Sequence, residues 1–248
     1  MSNKVRAVRE RIEAIKADRG FHLDEHPERE WRKRPETHSF IREGDIKGRE
    51  DDKKKVMEFL LDTDVKEHVF ILPIVGIGGL GKTALAQCVY NDETISKHFD
   101  LQMWVCVSHD FDVKKIVKNM IECRKKKKPN GVVMERLQSE LRGKIDGKRY
   151  LLVLDDLWSV ERETWLSLKT LLVGGARGSK ILITTHLTLV AEITGTAQPH
   201  FLGGLSESAS LDLLMQMACR KEEEMQDPEM LAIGKEIVRK CSRVPLII

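Results

Sequence analysis

Cysteine is scarce in this chain and badly spaced for cross-linking. Five occur among 248 residues, at positions 88, 106, 123, 219 and 241. The number is odd and no Cys-x-x-Cys pair exists, which argues against a disulfide framework and against a cysteine-based zinc site. The thiols stand in mostly apolar stretches, a pattern that predicts reduced, buried cysteines in an intracellular protein. Long apolar runs are missing as well. None approaches the roughly 20 residues that span a bilayer, and the N-terminus is charged from Lys4 onward, unlike a secretory signal. Nor does one sign of charge dominate. With 42 basic and 39 acidic residues the net charge is +3, which does not point to a dedicated nucleic-acid binder. What the chain does have is 41% hydrophobic residues, enough for a core, and 33% charged residues, above the usual quarter.

The most informative segment is Gly76-Ile77-Gly78-Gly79-Leu80-Gly81-Lys82-Thr83. It has the spacing Gly, four residues, Gly-Lys-Thr, the loop that wraps the phosphates of a nucleoside triphosphate. Glycines let backbone N–H groups approach phosphate oxygens with no Cβ in the way. Lys82 brings a flexible point charge to the β and γ phosphates. Thr83 offers a hydroxyl to Mg²⁺, which completes its shell with substrate phosphates. The helix that begins at Lys82, Thr83 and Ala84 turns its positive end to the same anion. At average residue usage a chance match arises roughly once in 100 chains of this length. The context strengthens it, because an apolar run from Val69 to Val75 precedes the loop and a helical stretch follows. Pro73 sits awkwardly in that run, and is expected near the strand's end or at a bulge.

Residues 1–45 differ from the rest. Val5, Val8, Ile12 and Ile15 make a two-heptad seam on a charged helix ending near Gly20, shorter than a coiled coil requires. A polar stretch with Pro27 and Pro35 then reads as a linker. From Ile46 the pattern is α/β. Helices are predicted over 51–61, 112–121 and around Leu137, Leu141 and Ile145, ended by Gly147; another carries Trp165, Leu168, Leu171 and Leu172. Strands are predicted at 101–107, 150–154 and 180–184, after the first before the glycine loop. The basic run 124–128, leading into Pro129-Asn130-Gly131, reads as a solvated loop. Continuous apolar strands alternating with helices predict a parallel sheet covered on both faces, a P-loop NTPase fold. Beyond Leu205 the strands stop, and Ser206 is placed to cap a helix carrying Leu211, Leu213, Leu214 and Met217. Leu231, Ile233, Ile237 and Val238 mark one more. The expected organisation is a helix and linker over 1–45, a nucleotide-binding domain over 46–204 and a partial helical subdomain over 205–248.

Leu151-Leu152-Val153-Leu154-Asp155-Asp156 is the partner a phosphate loop requires. An apolar strand delivers its carboxylates at the C-terminal edge, where open α/β sheets bind ligands. Asp155 is the candidate Mg²⁺ ligand. Asp156 is the candidate to orient or deprotonate an attacking water. The fourth strand ends in Thr184-Thr185-His186, either as γ-phosphate sensors or as ordinary strand and turn residues.

Taken together these residues resemble the NB-ARC nucleotide-binding switch of plant intracellular immune receptors with leucine-rich repeats. The markers are Ile46-Lys47-Gly48-Arg49-Glu50, the phosphate loop, Phe99 to Ser108, Leu154-Asp155-Asp156-Leu157-Trp158, Gly178 to Thr185, and Pro245-Leu246. Trp158 and the N-terminal segment resemble the coiled-coil branch, with residues 1–20 as the last helix of that domain. The resemblance implies an ADP/ATP switch with Mg²⁺, engaged in defense, in the cytoplasm, the nucleus or at the plasma-membrane periphery. It implies that Ile46, Gly48 and Arg49 border the adenine and ribose, and that Pro245 packs near the adenine. His186 stands where the family usually has Arg, and Arg243-Val244-Pro245-Leu246 where it has Gly-Leu-Pro-Leu. The winged-helix part and the leucine-rich repeats of the family are not expected within these residues.

Two rival functions stay open at this point. One is an interaction fragment, a decoy or adaptor that pairs with full-length receptors or signalling proteins. The other is a general ATPase such as a helicase loader, which calls for an Arg finger in an oligomer and a basic face for DNA.

Overall fold

In the computed structural model, residues 37–42, 46–63, 68–107, 111–122, 133–218 and 228–248 are described. The seam of Val5 to Ile15, the prolines at 27 and 35, the basic run 124–128, Cys123 and Cys219 lie outside them. The order is α1 (Glu50–Leu61), β1 (Val69–Val75), α2 (Lys82–Tyr90), α3 (Glu93–His98), β2 (Leu101–Cys106), α4 (Val113–Glu122), α5 (Met134–Ile145) and β3 (Tyr150–Asp155). Then come α6 (Arg162–Leu172), β4 (Ser179–Thr185), α7 (Thr188–Thr194), β5 (His200–Phe201), α8 (Glu207–Ala218) and α9 (Pro228–Lys240).

The strands form one sheet in the order β2-β3-β4-β1-β5, with every neighbouring pair parallel. Side chains alternate between its faces with period two. Ile71, Met103, Leu152, Leu154, Ile181 and Ile183 point into one core, closed by residues such as Val117, Leu141, Trp165 and Leu168 from α4, α5 and α6. Ile74, Leu151, Val153 and Leu182 point into the other, closed by Val56, Leu60, Leu85, Val89 and Ile95 from α1, α2 and α3. Each such fully buried aliphatic side chain contributes about 1.5–3 kcal/mol. The expected parallel sheet with helices on both faces is therefore the observed one. Caps follow the expected residues. The Ser206 hydroxyl accepts from Ala209 N–H at 3.1 Å ahead of α8, and the Asp112 carboxylate accepts from Lys114 N–H at 2.8 Å ahead of α4. Gly147 follows α5 with φ +64°.

Three elements were not anticipated: α3, α7 and β5. Their lengths are 6, 7 and 2 residues, too short for a periodic signal. Pro73 takes the first of its two expected places, near the strand's end. It is third from the end of β1, and it pairs in unbroken register with Ile183, with no bulge. Ile71 turns its N–H to Thr196 Oγ1 at 2.8 Å. Pro73, two residues on, faces the same side, where pairing with β5 begins only at Ile74. The missing N–H thus costs no ladder bond. The cysteines need correction too: Cys88, Cys106 and Cys241 are free thiols but half-buried rather than buried. Among the described residues no helix is long and apolar enough to cross a membrane.

Two positions run against local preference. Lys180 on β4 is 1% exposed, and its ammonium has no hydrogen-bond partner among the described residues. It lies 4.8 Å from the Phe59 ring centre and 5.1 Å from that of Phe70, a cation–π arrangement that offsets part of the desolvation. Burial lowers its pKa. At the chain's C-terminal turn, Ser242 and Arg243 are left-handed, with φ of 51° and 58°. Arg243 thus holds a backbone conformation that favours glycine, the residue the resemblance leads one to expect there, at a cost of about 1 kcal/mol.

Replacing Lys180 with Met is expected to raise stability at pH 7 by about 1 kcal/mol, read as a Tm increase of roughly 2–4 °C. Because the folded-state pKa lies below the unfolded one, the wild type gains stability as pH rises through that window. The advantage of Lys180→Met should therefore shrink in thermal melts run at increasingly alkaline pH. Arg243→Gly is expected to raise Tm as well, by relieving the left-handed strain. A fall in Tm would show that the arginine side chain matters more than the backbone.

Candidate nucleotide-binding site

The site grows from the C-terminal edge of three adjacent strands, β3, β4 and β1. Where β1 ends, Gly76 N–H donates to Thr185 O at 3.2 Å, tying the start of the loop to β4. The loop then turns through Gly79 and Gly81, with φ of +83° and +89°, a region that L side chains rarely enter. Leu80 between them is buried and anchors the loop in the core, while Ile77 is exposed. Gly81 is the N-cap of α2 and supplies no side-chain cap, so the first N–H groups of the helix have no side-chain acceptor at their cap. These are the donors an anion needs.

Lys82 folds back over the loop. Its ammonium donates to Gly76 O at 2.8 Å and to Ile77 O at 3.0 Å. Burial lowers its pKa, and the nearby Asp156 and Asp155 carboxylates oppose that shift. Thr83, one residue on, donates to Asp155 Oδ1 at 3.0 Å. The two predicted metal ligands are thus in contact, although 72 residues separate them.

Asp155 has no exposed surface. Among the described residues its carboxylate has three hydrogen-bond partners, all of them hydroxyls. Thr83 and Thr184 donate to Oδ1, the latter at 2.5 Å, and Thr37 donates to Oδ2 at 2.7 Å. Burial pushes its pKa up, and these hydroxyls hold it back. A buried carboxylate beside a threonine hydroxyl, with no Lys or Arg bonded to it among the described residues, is a donor set that fits a hard oxygen-seeking cation such as Mg²⁺. Asp156 follows in a left-handed conformation with φ +60°. Its N–H donates to Thr184 Oγ1 at 2.8 Å. Strained non-glycine backbone at such a position is found where function holds it in place.

Thr184 and Thr37 are the residues that sequence reasoning did not assign to the carboxylate. For Thr184 the link lies in the strand register, which the sequence does not show. Leu154 pairs with Ile183, so the next residues on the two strands, Asp155 and Thr184, are neighbours. For Thr37, in the stretch expected to be linker, no sequence signal points across 118 residues.

The other predicted residues divide into two groups. Arg49 is buried, and its guanidinium donates to Leu80 O at 2.8 Å, to Gly203 O at 2.7 Å and to Asp52 Oδ2 at 3.0 Å. Asp52 in turn holds His200 Nε2 at 2.8 Å. Arg49 therefore clamps the phosphate loop to the segment after β5 through main-chain carbonyls. Gly48 lies against α8: a Cβ there would sit 2.4 Å from Ala209 Cβ. Ile46 is half-buried. Next to Pro245, Leu246 N–H donates to Gly79 O at 3.2 Å, which brings the C-terminal turn onto the phosphate loop. The residues at the end of β4 are engaged elsewhere. Thr185 is buried, and its hydroxyl accepts from Leu187 N–H at 3.2 Å. The His186 ring stands edge-on to Trp158, with centres 4.3 Å apart.

Comparison with known proteins bears on this arrangement. Residues 49–224 match the NB-ARC domain. The chain is 41% identical, over 99% of its length, to the putative disease resistance protein RGA4 of Solanum bulbocastanum, of which it covers 25%. It is 38% identical, over 82% of its length, to the disease resistance protein RPP13 of Arabidopsis thaliana, again covering 25%. The chain thus spans about a quarter of the length of the curated relatives it matches. Among solved structures it resembles the ADP form of the Aeropyrum pernix ORC2 protein, with a TM-score of 0.57 and 14% identity over 85% of this chain and 63% of that one. Cdc6p from Pyrobaculum aerophilum gives a TM-score of 0.54 at 14% identity, over 83% of this chain and 63% of that one. At such identity the likeness is one of fold, a P-loop NTPase sheet. The family match takes in well over half of the residues, and the chain belongs to the NB-ARC domain family.

Proposed function

We propose that this chain is an ADP/ATP-binding switch module of a plant defense protein, with slow or absent hydrolysis. The observation that carries the reading is the Thr83–Asp155 contact beside Lys82, at the start of α2, whose N-cap makes no side-chain hydrogen bond. Gly76 to Thr83, with Ala84 following in the helix, cradle the phosphates through backbone N–H groups. Lys82 exchanges its two carbonyl partners for phosphate oxygens, which its flexible stem permits. Thr83 and Asp155 hold Mg²⁺, which neutralises phosphate charge. Ile46, Gly48, Arg49 and Pro245 border the base and ribose from the two segments that meet the phosphate loop. The domain boundaries near 45 and 205 follow the same reading, and likeness to disease resistance proteins supports the defense role.

Weak turnover follows from two features. Asp156 is the water-orienting candidate, yet its backbone is fixed by Thr184 in a left-handed conformation. Thr185 and His186 are the sensor candidates, and His186 lacks the permanent charge and planar fork of an arginine. A second reading, an interaction fragment that pairs with full-length receptors, is favoured by one observation. Met230, Ile233 and Ile237 make an exposed apolar stripe on α9, near the exposed Leu246 and Ile247 in sequence.

Lys82→Ala is expected to weaken ADP binding by about 100-fold, the loss of charge-assisted hydrogen bonds to phosphate. Calorimetry tests this, and unchanged affinity would refute the nucleotide reading. If the same variant still co-purifies with a full-length receptor, the interaction reading gains. Asp155→Asn separates stability from binding. The raised pKa means that the folded carboxyl holds its proton more tightly than the unfolded chain does. Burial of the carboxylate therefore costs stability progressively as pH rises from the unfolded pKa through the folded one. At pH 7 the nucleotide-free variant should melt at or above the wild-type temperature, while Mg²⁺ no longer adds to the stabilisation by ADP. A lower melting point with Mg²⁺ dependence intact would contradict the assignment of Asp155.

A further inference from the structure

The three hydroxyls around Asp155 differ in how freely they can leave. Thr83 is the partner that would share the cation. Thr184 lies on a fully buried strand and is pinned by the Asp156 N–H it accepts. Thr37 belongs to a stretch with no helix or strand. The rest of that stretch is held by two side-chain amides of α2. Gln87 Nε2 donates to His38 O, and Asn91 Nδ2 donates to Ser39 O at 2.6 Å, both at exposed positions. Phe40, next in line, is 66% exposed and adds little burial. So the main bond that holds this stretch down away from solvent is the one to the metal carboxylate.

With Thr37 in place Asp155 is wholly enclosed. A cation with its water shell must therefore displace one partner to reach the carboxylate. From the geometry we infer that Thr37 is a magnesium-sensitive clasp. The 37–42 stretch is docked on Asp155 and α2 when the site holds no metal, and it is released when Mg²⁺–nucleotide takes Asp155. This rests on the nucleotide reading above, and it adds a regulatory consequence. Nucleotide state at the phosphate loop is coupled to the residues that precede the domain. The coupling is reciprocal, so undocking the stretch tightens Mg²⁺–nucleotide binding by the factor that metal weakens the clasp.

Chymotrypsin cleavage after Phe40 reads the clasp directly, because the protease must extract Thr37 to Arg42 to bind them. The full 248-residue chain is digested without nucleotide, with ADP alone and with ADP plus Mg²⁺, alongside calorimetry. Cleavage after Phe40 is expected to accelerate severalfold with Mg²⁺–ADP and little with ADP alone. Thr37→Val should be cleaved rapidly in every condition and should bind Mg²⁺–ADP about tenfold more tightly, having lost one charge-assisted bond that competes with the metal. Thr37→Ser should behave as wild type. Slower or unchanged cleavage in the presence of bound Mg²⁺–ADP, or weaker binding by Thr37→Val, would overturn the clasp and leave the nucleotide reading standing. Absence of any ADP binding by the wild type would overturn both.

Discussion

A carboxylate with no exposed surface must find its partners inside the protein, and around Asp155 those partners define the site. Desolvating such a charge costs several kcal/mol after relaxation, so the hydroxyls that satisfy it are not incidental. Thr83 comes from the start of α2, Thr184 from the end of β4 and Thr37 from the approach to the domain. They can converge only because β3, β4 and β1 are neighbours that run in parallel and end at one edge. Sheet order, the phosphate loop and the N-terminal stretch are thus all held in register by one acidic side chain. The same group stays underneutralised among the described residues, which is why it is suited to a cation rather than to fold stability alone.

A second knot, at Arg49, joins what the sheet does not. A buried guanidinium needs acceptors for its forked donors, and it finds them in Leu80 O, Gly203 O and Asp52. The phosphate loop, the segment after β5 and α1 are drawn together at one point. From the other side Leu246 N–H meets Gly79 O. A loop that must keep its N–H groups free for an anion cannot use them for its own rigidity. Its carbonyls are used instead, by Arg49, Lys82 and Leu246. Beyond Gly76, whose N–H is bonded to Thr185 O, pre-organisation of the loop therefore rests on its acceptors rather than its donors.

Much of this was legible in the sequence. The phosphate loop and Asp155 were marked out by residue type and spacing, and the fold brings them into contact through Thr83. The sheet was readable because both its faces are buried, so its strands were near-continuous apolar runs. What escaped notice was either short or distant. β5 has two residues, and periodicity needs more. Pro73 looked misplaced because a strand's two edges cannot be told apart in sequence, whereas here its nitrogen faces the side where β5 has not begun. Thr184 looked like any β-branched strand residue until the register of β3 and β4 set it beside Asp155. Thr37 sits in a polar stretch with no periodic pattern, and a hydroxyl that reaches across 118 residues leaves no local trace.

Binding and turnover make different demands on such a site. Binding needs donors, a mobile cation and a metal ligand, and each has a candidate residue here. Turnover also needs a water held in line and charge supplied as the γ-phosphate departs. Asp156 is tied by its N–H to Thr184, and Thr184 in turn donates to Asp155. The candidate that would orient water and the candidate that would hold metal are therefore braced by the same hydroxyl, so displacement of one is felt by the other. At the neighbouring strand end the His186 ring is engaged with Trp158, and its place gives no fixed fork of positive charge. On the proposed reading, an arrangement that links Asp155, Asp156 and the N-terminal stretch through shared hydroxyls would respond to which nucleotide is present. Speed of hydrolysis would call for the opposite, a water-orienting group free to adjust without disturbing the metal carboxylate.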